Sequence, residues 1–234
     1  MAVGKKLMYK YLLFDADGTI LDYDRAEENA LNQAAAASGY SVTDDIREVY
    51  RKINSQLWAM LEKGLISSEK LRVLRFEKLA EASAWNNLDA ADFSKLYLKF
   101  LADSGFMING AMQMLNNLPS ETVKVIITNG IKDIQISRLT KAGIIGMFDA
   151  VIISEEAGVP KPAGEFFDYT LKKINYYEKS EMLVIGDSLS SDIAGGIDYG
   201  IDTCWFNPSG KENTTSRVPD YEISSWNDFF EIIK

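Results

Sequence analysis

The 234 residues include no histidine and a single cysteine, Cys204. The first absence removes serine–histidine and cysteine–histidine triads, histidine metal cages and phosphohistidine chemistry, because each needs an imidazole. The second removes intrachain disulfides and any cysteine-based zinc site. Catalysis must then rest on carboxylates, lysine or metal. No apolar run approaches the roughly 20 residues that a membrane helix requires. The opening Met1-Ala-Val-Gly-Lys-Lys also lacks the apolar stretch of a secretory signal. A cytoplasmic protein with no membrane association is expected. Basic residues are outnumbered, 25 against 34 acidic, for a formal charge of −9. With no basic stripe to reverse this locally, polymeric nucleic acid is not an expected partner, although a small anion at a local positive site is compatible.

What is present is ordinary globular material: 47% of residues are hydrophobic and 25% charged, ample for a sizeable core. Residues 9–14 read as a buried strand, and similar short runs rich in β-branched residues recur at 123–128, 150–154, 182–185 and 202–206. Helical periodicity falls between them, at 111–118, 132–142, 163–175 and 192–199, with a closing helix at 226–233. Strands alternating with helices predict an α/β fold, a doubly wound parallel sheet of Rossmann-like type. Residues 21–104 break the alternation. They carry no strand signal and read as four amphipathic helices at 25–38, 44–63, 67–83 and 90–102, opened by the caps Asp24, Thr43, Ser67 and Asp89. The expected organisation is a core of 1–20 and 105–234 with an all-helical insert of 21–104, joined near 20–22 and 105–108.

In open α/β sheets the functional groups gather where strands end and their loops converge. The first strand runs into Asp15-Ala16-Asp17-Gly18-Thr19 and the second ends in Thr128-Asn129-Gly130. The loop after the third carries Lys161-Pro162, and the fourth ends in Gly186-Asp187-Ser188, with Asp192 opening the next helix. Asp15, Asp17, Asp187 and Asp192 in one crevice would repel strongly unless a cation sits among them. Mg2+, a hard ion that favours oxygen ligands, is the natural solution. A metal, a lysine and backbone amides at loop–helix junctions together suit a phosphoryl group.

Each motif alone has a plainer explanation. Asp-Gly is a common turn, Lys-Pro a solvated loop, and Gly-Asp-Ser a helix cap. A calcium loop opening at Asp15 would need an oxygen-donating acid or amide at position 19 and glutamate at 26, where Thr19 and Ala26 stand. No Walker loop or dinucleotide glycine fingerprint competes for the phosphate role. The four motifs at successive strand ends, in this order, resemble the haloacid dehalogenase superfamily of phosphohydrolases over essentially the whole chain. The insert directly after the first motif is similar to that family's small helical cap.

The resemblance implies a role for each matched residue. Asp15 would attack phosphorus to form an aspartyl-phosphate, and Asp17 would protonate the leaving oxygen and then deprotonate water. The metal, Mg2+, would be held by Asp15, the backbone carbonyl of Asp17, Asp187 and Asp192, the last directly or through water. Thr128, the Asn129 amide and Lys161 would hold the phosphoryl oxygens.

Within the family, the stretch Ile53-Asn54-Ser55-Gln56-Leu57-Trp58, then Lys63 to Ser67 and Arg72 to Phe76, looks most like the pyrimidine nucleotide 5′-phosphatases. Asn54 and Trp58 lie i, i+4 on one helix face, where an amide and an aromatic plane can meet a flat polar ring. With Tyr23 they are the candidate specificity residues of the cap, although taken singly Tyr23, Asn54, Trp58, Arg75 and Phe76 read more readily as ordinary packing or surface positions in a helical bundle. The expected substrate is a small phosphorylated metabolite, a pyrimidine nucleoside 5′-monophosphate. The alternatives are a sugar phosphate, a phosphomutase reaction, and more distantly a dehalogenase or a non-catalytic binding protein. Asp17 argues against a dehalogenase, which needs no second acid there.

Overall fold

The computed structural model describes residues 9–233. The opening segment 1–6 read above therefore lies outside the described residues. In chain order the first elements are β1 (Tyr11–Phe14), α1 (Tyr23–Ala37), α2 (Asp44–Glu62), α3 (Ser68–Ala82) and α4 (Ala90–Ala102). Next come α5 (Ala111–Asn117), β2 (Val123–Thr128), α6 (Lys132–Lys141), β3 (Ala150–Ile153), α7 (Ser154–Ala157) and α8 (Gly164–Ile174). The chain closes with β4 (Met182–Gly186), α9 (Ala194–Tyr199), β5 (Asp202–Phe206) and β6 (Tyr221–Ile223). Among the described residues no helix is long and apolar enough to cross a membrane.

The strands form one parallel sheet in the order β3-β2-β1-β4-β5-β6. β1 is central, with Phe14 opposite Ile126 of β2 on one side and Ile185 of β4 on the other. Its four residues Tyr11, Leu12, Leu13 and Phe14 are all buried, as a strand covered on both faces requires. The chain winds outward from β1 through β2 to β3, then returns to place β4 on the other side of β1. That reversal is the topological switch point at which α/β sheets hold their ligands. One face of the sheet packs Leu13, Val125, Ile127 and Val184 against Phe166, Phe167 and Leu171 of α8. Elsewhere in the core an aromatic group gathers around Trp226, which stacks on Phe206 and meets Phe14 and Phe229 edge-on.

The chain divides into two compact units, one built on the sheet and one comprising Tyr23–Phe106 together with Asp133–Ala142. In the helical unit α1 packs on α4, α2 on α3 and α3 on α4. The buried face of α1 is Ala26, Ala30, Leu31, Ala34 and Ala35, mostly small residues that allow close helix approach. Three helices begin as their sequences predict: the side chains of Thr43, Ser67 and Asp89 accept from the backbone N–H groups of Ile46, Lys70 and Asp92. The fourth expected cap, Asp24, instead lies inside the first turn of α1, which starts at Tyr23. There its charge still favours the helix N-terminus.

Other boundaries shift for local reasons. Ser154 leaves the third strand and opens α7, a four-residue helix closed by Gly158 at φ +80°. The expected helix at 192–199 is preceded by a π-turn at Leu189–Ile193, so α9 itself starts at Ala194. A sixth strand, β6, adds to the sheet edge, its three residues too short to show alternation. The closing helix at 226–233 is a short 3₁₀ turn at Asp228–Glu231, entered through Ser224 and Ser225, both of which donate to Asp228.

Candidate active site

Asp15 follows β1 directly, and its backbone N–H still donates to Ile185 O at 2.8 Å, so the carboxylate is fixed by the sheet itself. Beyond it the chain folds tightly, with Leu21 N–H on Ala16 O at 2.7 Å and Gly18 N–H on Leu21 O at 2.9 Å. Gly18 sits at φ +79°, and a Cβ there would come within 2.6 Å of Asp187 Oδ2. Gly186 is under the same constraint, since a Cβ would lie 2.2 Å from Asp192 Oδ2. The glycines of the first and fourth motifs are therefore the space into which two of the carboxylates fit.

Lys161 joins these carboxylates. Its ammonium, 1% exposed, donates to Asp15 Oδ1 at 2.7 Å, Asp192 Oδ1 at 2.6 Å and Ile127 O at 2.7 Å. Burial disfavours its charge, but Asp15 and Asp192 outweigh that and hold its pKa above the usual lysine value. Asn129 fixes the lysine backbone reciprocally, its side-chain oxygen accepting from Lys161 N–H at 2.8 Å and its nitrogen donating to Lys161 O at 2.9 Å. Thr128 is buried at the end of β2, and its hydroxyl accepts from Gly130 N–H at 3.0 Å.

Asp192 stands on the π-turn, where its Oδ2 accepts from Ser188 N–H at 3.1 Å. Such turns are rare and occur mostly at functional sites. Asp15, Asp187 and Asp192 each offer a carboxylate oxygen, all within 4.8 Å of one another. The carboxylate of Asp17 stands outside that trio, and its backbone pairs with Leu21. Burial raises the pKa of Asp15 well above the carboxylate range, opposed by Lys161 and reinforced by Asp192, Asp187 and Asp17. Burial and Asp192 push Asp187 to about 7, while Lys211 and Lys161 pull it down. Carboxylates this buried and this crowded carry more negative charge than one lysine balances, and all their donors are hard oxygens. The trio therefore fits Mg2+.

Comparison with known proteins agrees with this geometry. Residues 9–200 match the haloacid dehalogenase-like hydrolase family. The chain belongs to that family. Among curated relatives, it is 36% identical over 228 residues to the pyrimidine 5′-nucleotidase PynA of Streptococcus pneumoniae, covering 97% of this chain and 96% of that one. It is 31% identical over 230 residues to the pyrimidine 5′-nucleotidase YjjG of Escherichia coli, with coverage of 97% and 99%. The crystal structure of the HAD-hydrolase YfnB from Bacillus subtilis, bound to magnesium, superposes with a TM-score of 0.91 at 34% identity, covering 97% of this chain and 99% of that one. This chain is thus a haloacid dehalogenase-like phosphatase whose aspartate trio is suited to Mg2+.

Two contributors to the haloacid dehalogenase-like site carry no sequence motif. Trp205 of β5 is opposite Gly186, and its indole N–H donates to Asp187 O at 2.9 Å. Its position at the end of a buried strand is the one available signal. Lys211 follows a loop clasped by Asn207, whose side-chain oxygen accepts from Lys211 N–H at 2.9 Å and whose nitrogen donates to Lys211 O at 2.9 Å.

In the helical unit two of the three candidate specificity residues, Tyr23 and Asn54, come together and Trp58 stands apart. Asn54 is buried, and its nitrogen donates to Glu27 Oε1 at 2.8 Å and to the Tyr23 hydroxyl at 3.2 Å. Trp58 instead packs in an apolar cluster with Leu57, Leu61 and Leu71. Glu27 and Arg75 complete the polar group around Asn54; the first was hidden in the sequence among apolar helix positions, whereas Arg75 lies in the cap stretch already singled out. A carboxylate within the alanine-rich face of α1 was the signal that could have exposed the first.

Proposed function

We propose that this chain is a Mg2+-dependent phosphomonoester hydrolase that works through an aspartyl-phosphate on Asp15 and acts on pyrimidine nucleoside 5′-monophosphates. The observation that carries the chemistry is the buried Asp15–Lys161–Asp192 arrangement beside Asp187. Full-length likeness to two pyrimidine 5′-nucleotidases supports the substrate class.

The Asp15 carboxylate attacks phosphorus, and the bond to the nucleoside 5′-oxygen breaks as Asp17 delivers a proton to that oxygen. Asp17, now a carboxylate, then removes a proton from the water that attacks the aspartyl-phosphate, so that inorganic phosphate leaves, Asp15 is restored as the carboxylate and Asp17 as the acid. Thr128 holds a phosphoryl oxygen, while Lys161, its three N–H bonds taken by Asp15, Asp192 and Ile127 O, supplies positive charge beside the phosphoryl group, with Asn129 fixing the lysine backbone. Asp15, Asp187, Asp192 and the Asp17 carbonyl would hold Mg2+, which supplies charge neutralisation for the phosphoryl group when bound.

The test is phosphate release from a panel of nucleoside monophosphates and sugar phosphates, with and without Mg2+, comparing wild type and Asp15→Asn. Metal-dependent release favouring pyrimidine monophosphates is expected, with a loss on the order of 10⁴-fold or more in the variant. A sugar-phosphate preference would overturn the nucleotide assignment while keeping the mechanism. Undiminished release by Asp15→Asn would overturn the covalent mechanism.

A further inference from the structure

Of the three carboxylates suited to Mg2+, two are held by hydrogen bonds from the protein. Asp15 accepts from Lys161, and Asp192 accepts from Lys161 and from Ser188 N–H. The half-buried Asp187 carboxylate accepts none among the described residues. It lies against Gly18, where a Cβ would come 2.6 Å from one of its oxygens and 3.0 Å from the other. Packing and its own backbone therefore set where it points. Ladder pairing of β4 with β5 ends at Gly186 opposite Trp205, so Asp187 is the first residue past the ladder. There its carbonyl accepts the indole N–H of Trp205 at 2.9 Å.

Trp205 is 2% exposed, and a buried indole N–H needs an acceptor. Aromatic packing does not account for the residue. Its neighbour Phe206 stacks on Trp226, whereas Trp205 pairs with no other ring among the described residues. Because the residue across the ladder is a glycine, no side chain at position 186 meets the indole, which reaches past the ladder end to Asp187. The same glycine makes room for the Asp192 carboxylate. We propose that Trp205 is a positioning residue for Mg2+: by fixing the Asp187 backbone it aims the one carboxylate of the trio that no donor holds. Without the indole N–H, the peptide beyond the strand end gains freedom, and its carboxylate has to be ordered as the ion binds, which lowers affinity. This inference rests on the Mg2+ reading of the trio and names a residue that would enforce it.

The experiment follows the rise of Tm with Mg2+ concentration in wild type, Trp205→Phe and Trp226→Phe. Trp205→Phe keeps a buried aromatic ring and removes the donor. Trp226→Phe trims a second buried indole, whose N–H has no hydrogen-bond partner among the described residues, and so reports the loss of packing alone. Both variants should lower the metal-free Tm. Only Trp205→Phe should displace the Mg2+ dependence, to roughly 10- to 100-fold higher concentration, with Trp226→Phe responding as wild type does. An undisplaced response in Trp205→Phe, or equal displacement in the two variants, would overturn the inference alone. If Trp205→Phe does not fold, the wild type decides through the nuclear magnetic resonance signals of its indole N–H groups. The Trp205 signal should move in step with Mg2+ binding, and a signal that stays fixed as the Tm rises would refute the assignment. A wild type whose Tm does not respond to Mg2+ would overturn the metal reading and the inference with it.

Discussion

Two buried charged clusters, one in each unit, solve the same electrostatic problem in opposite ways. In the sheet unit Lys161 is fully paired: each of its three N–H bonds has an acceptor, two of them carboxylates. In the helical unit Arg75 has one long hydrogen bond, two aromatic faces and an unused donor edge. The first cluster is satisfied by its own acids and a backbone carbonyl, and the second leaves donors without partners among the described residues. A cation matched to its acids balances their charge, whereas one held by aromatic faces and a single long contact keeps much of its desolvation cost.

The sharpest way to break this contrast is Lys161→Met. It leaves Asp15 and Asp192 buried beside Asp187 with no cation, and loss of one member of a buried pair costs about 3–5 kcal/mol. Urea unfolding at pH 8 without metal should show that drop, and added Mg2+ should recover part of it. A loss below about 1 kcal/mol would mean that the lysine does not carry the charge balance assigned to it.

The helical cluster is tested through Glu27, whose pKa burial raises from 4.5 to about 7 against the opposing pull of Arg75 and Tyr23. A carboxyl raised in the folded state binds its proton more tightly folded than unfolded. Its stability contribution is therefore complete below about 4.5 and is lost as pH rises through about 7. Comparing urea midpoints at pH 5 and pH 8, wild type should lose up to about 3 kcal/mol more than Glu27→Gln across this window. Parallel pH profiles for the two proteins would show that Glu27 is not held in a poorly compensated environment.

The smallest effect concerns a residue in neither cluster. Thr43→Ala removes the α2 cap and should cost about 1 kcal/mol, shifting Tm by roughly 2–4 °C with Mg2+ affinity unchanged. A change in Mg2+ affinity would contradict the separation of helix stability from the metal site.

Legibility in the sequence divides along the same line. Asp15, Asp17, Lys161, Asp187 and Asp192 could be read because each lies at or just beyond a strand end or on its following loop, within a short motif. Thr43, Ser67 and Asp89 could be read as caps because the bond that defines each spans three residues. Trp205 could not, since its donation to Asp187 crosses from β5 to β4, eighteen positions apart in the chain. Nor could the separation of Asn54 from Trp58. Both lie on one helix at i, i+4, yet Asn54 turns to α1 and α3 while Trp58 joins a leucine cluster.

The sequence alone determined the alternation of strands and helices, the helical insert, and the acids and lysine gathered at the strand ends. These are written in periodicities of two and 3.6 and in motifs of a few residues, which local sterics and hydrogen bonding convert directly into structure. Tertiary structure alone decided that a glycine would leave room for a carboxylate, that a tryptophan would hold Asp187, and that Arg75 would be buried with two of its three nitrogens unpartnered among the described residues. Those outcomes depend on which distant atoms share one small volume, and chain packing sets that quantity while no local pattern encodes it.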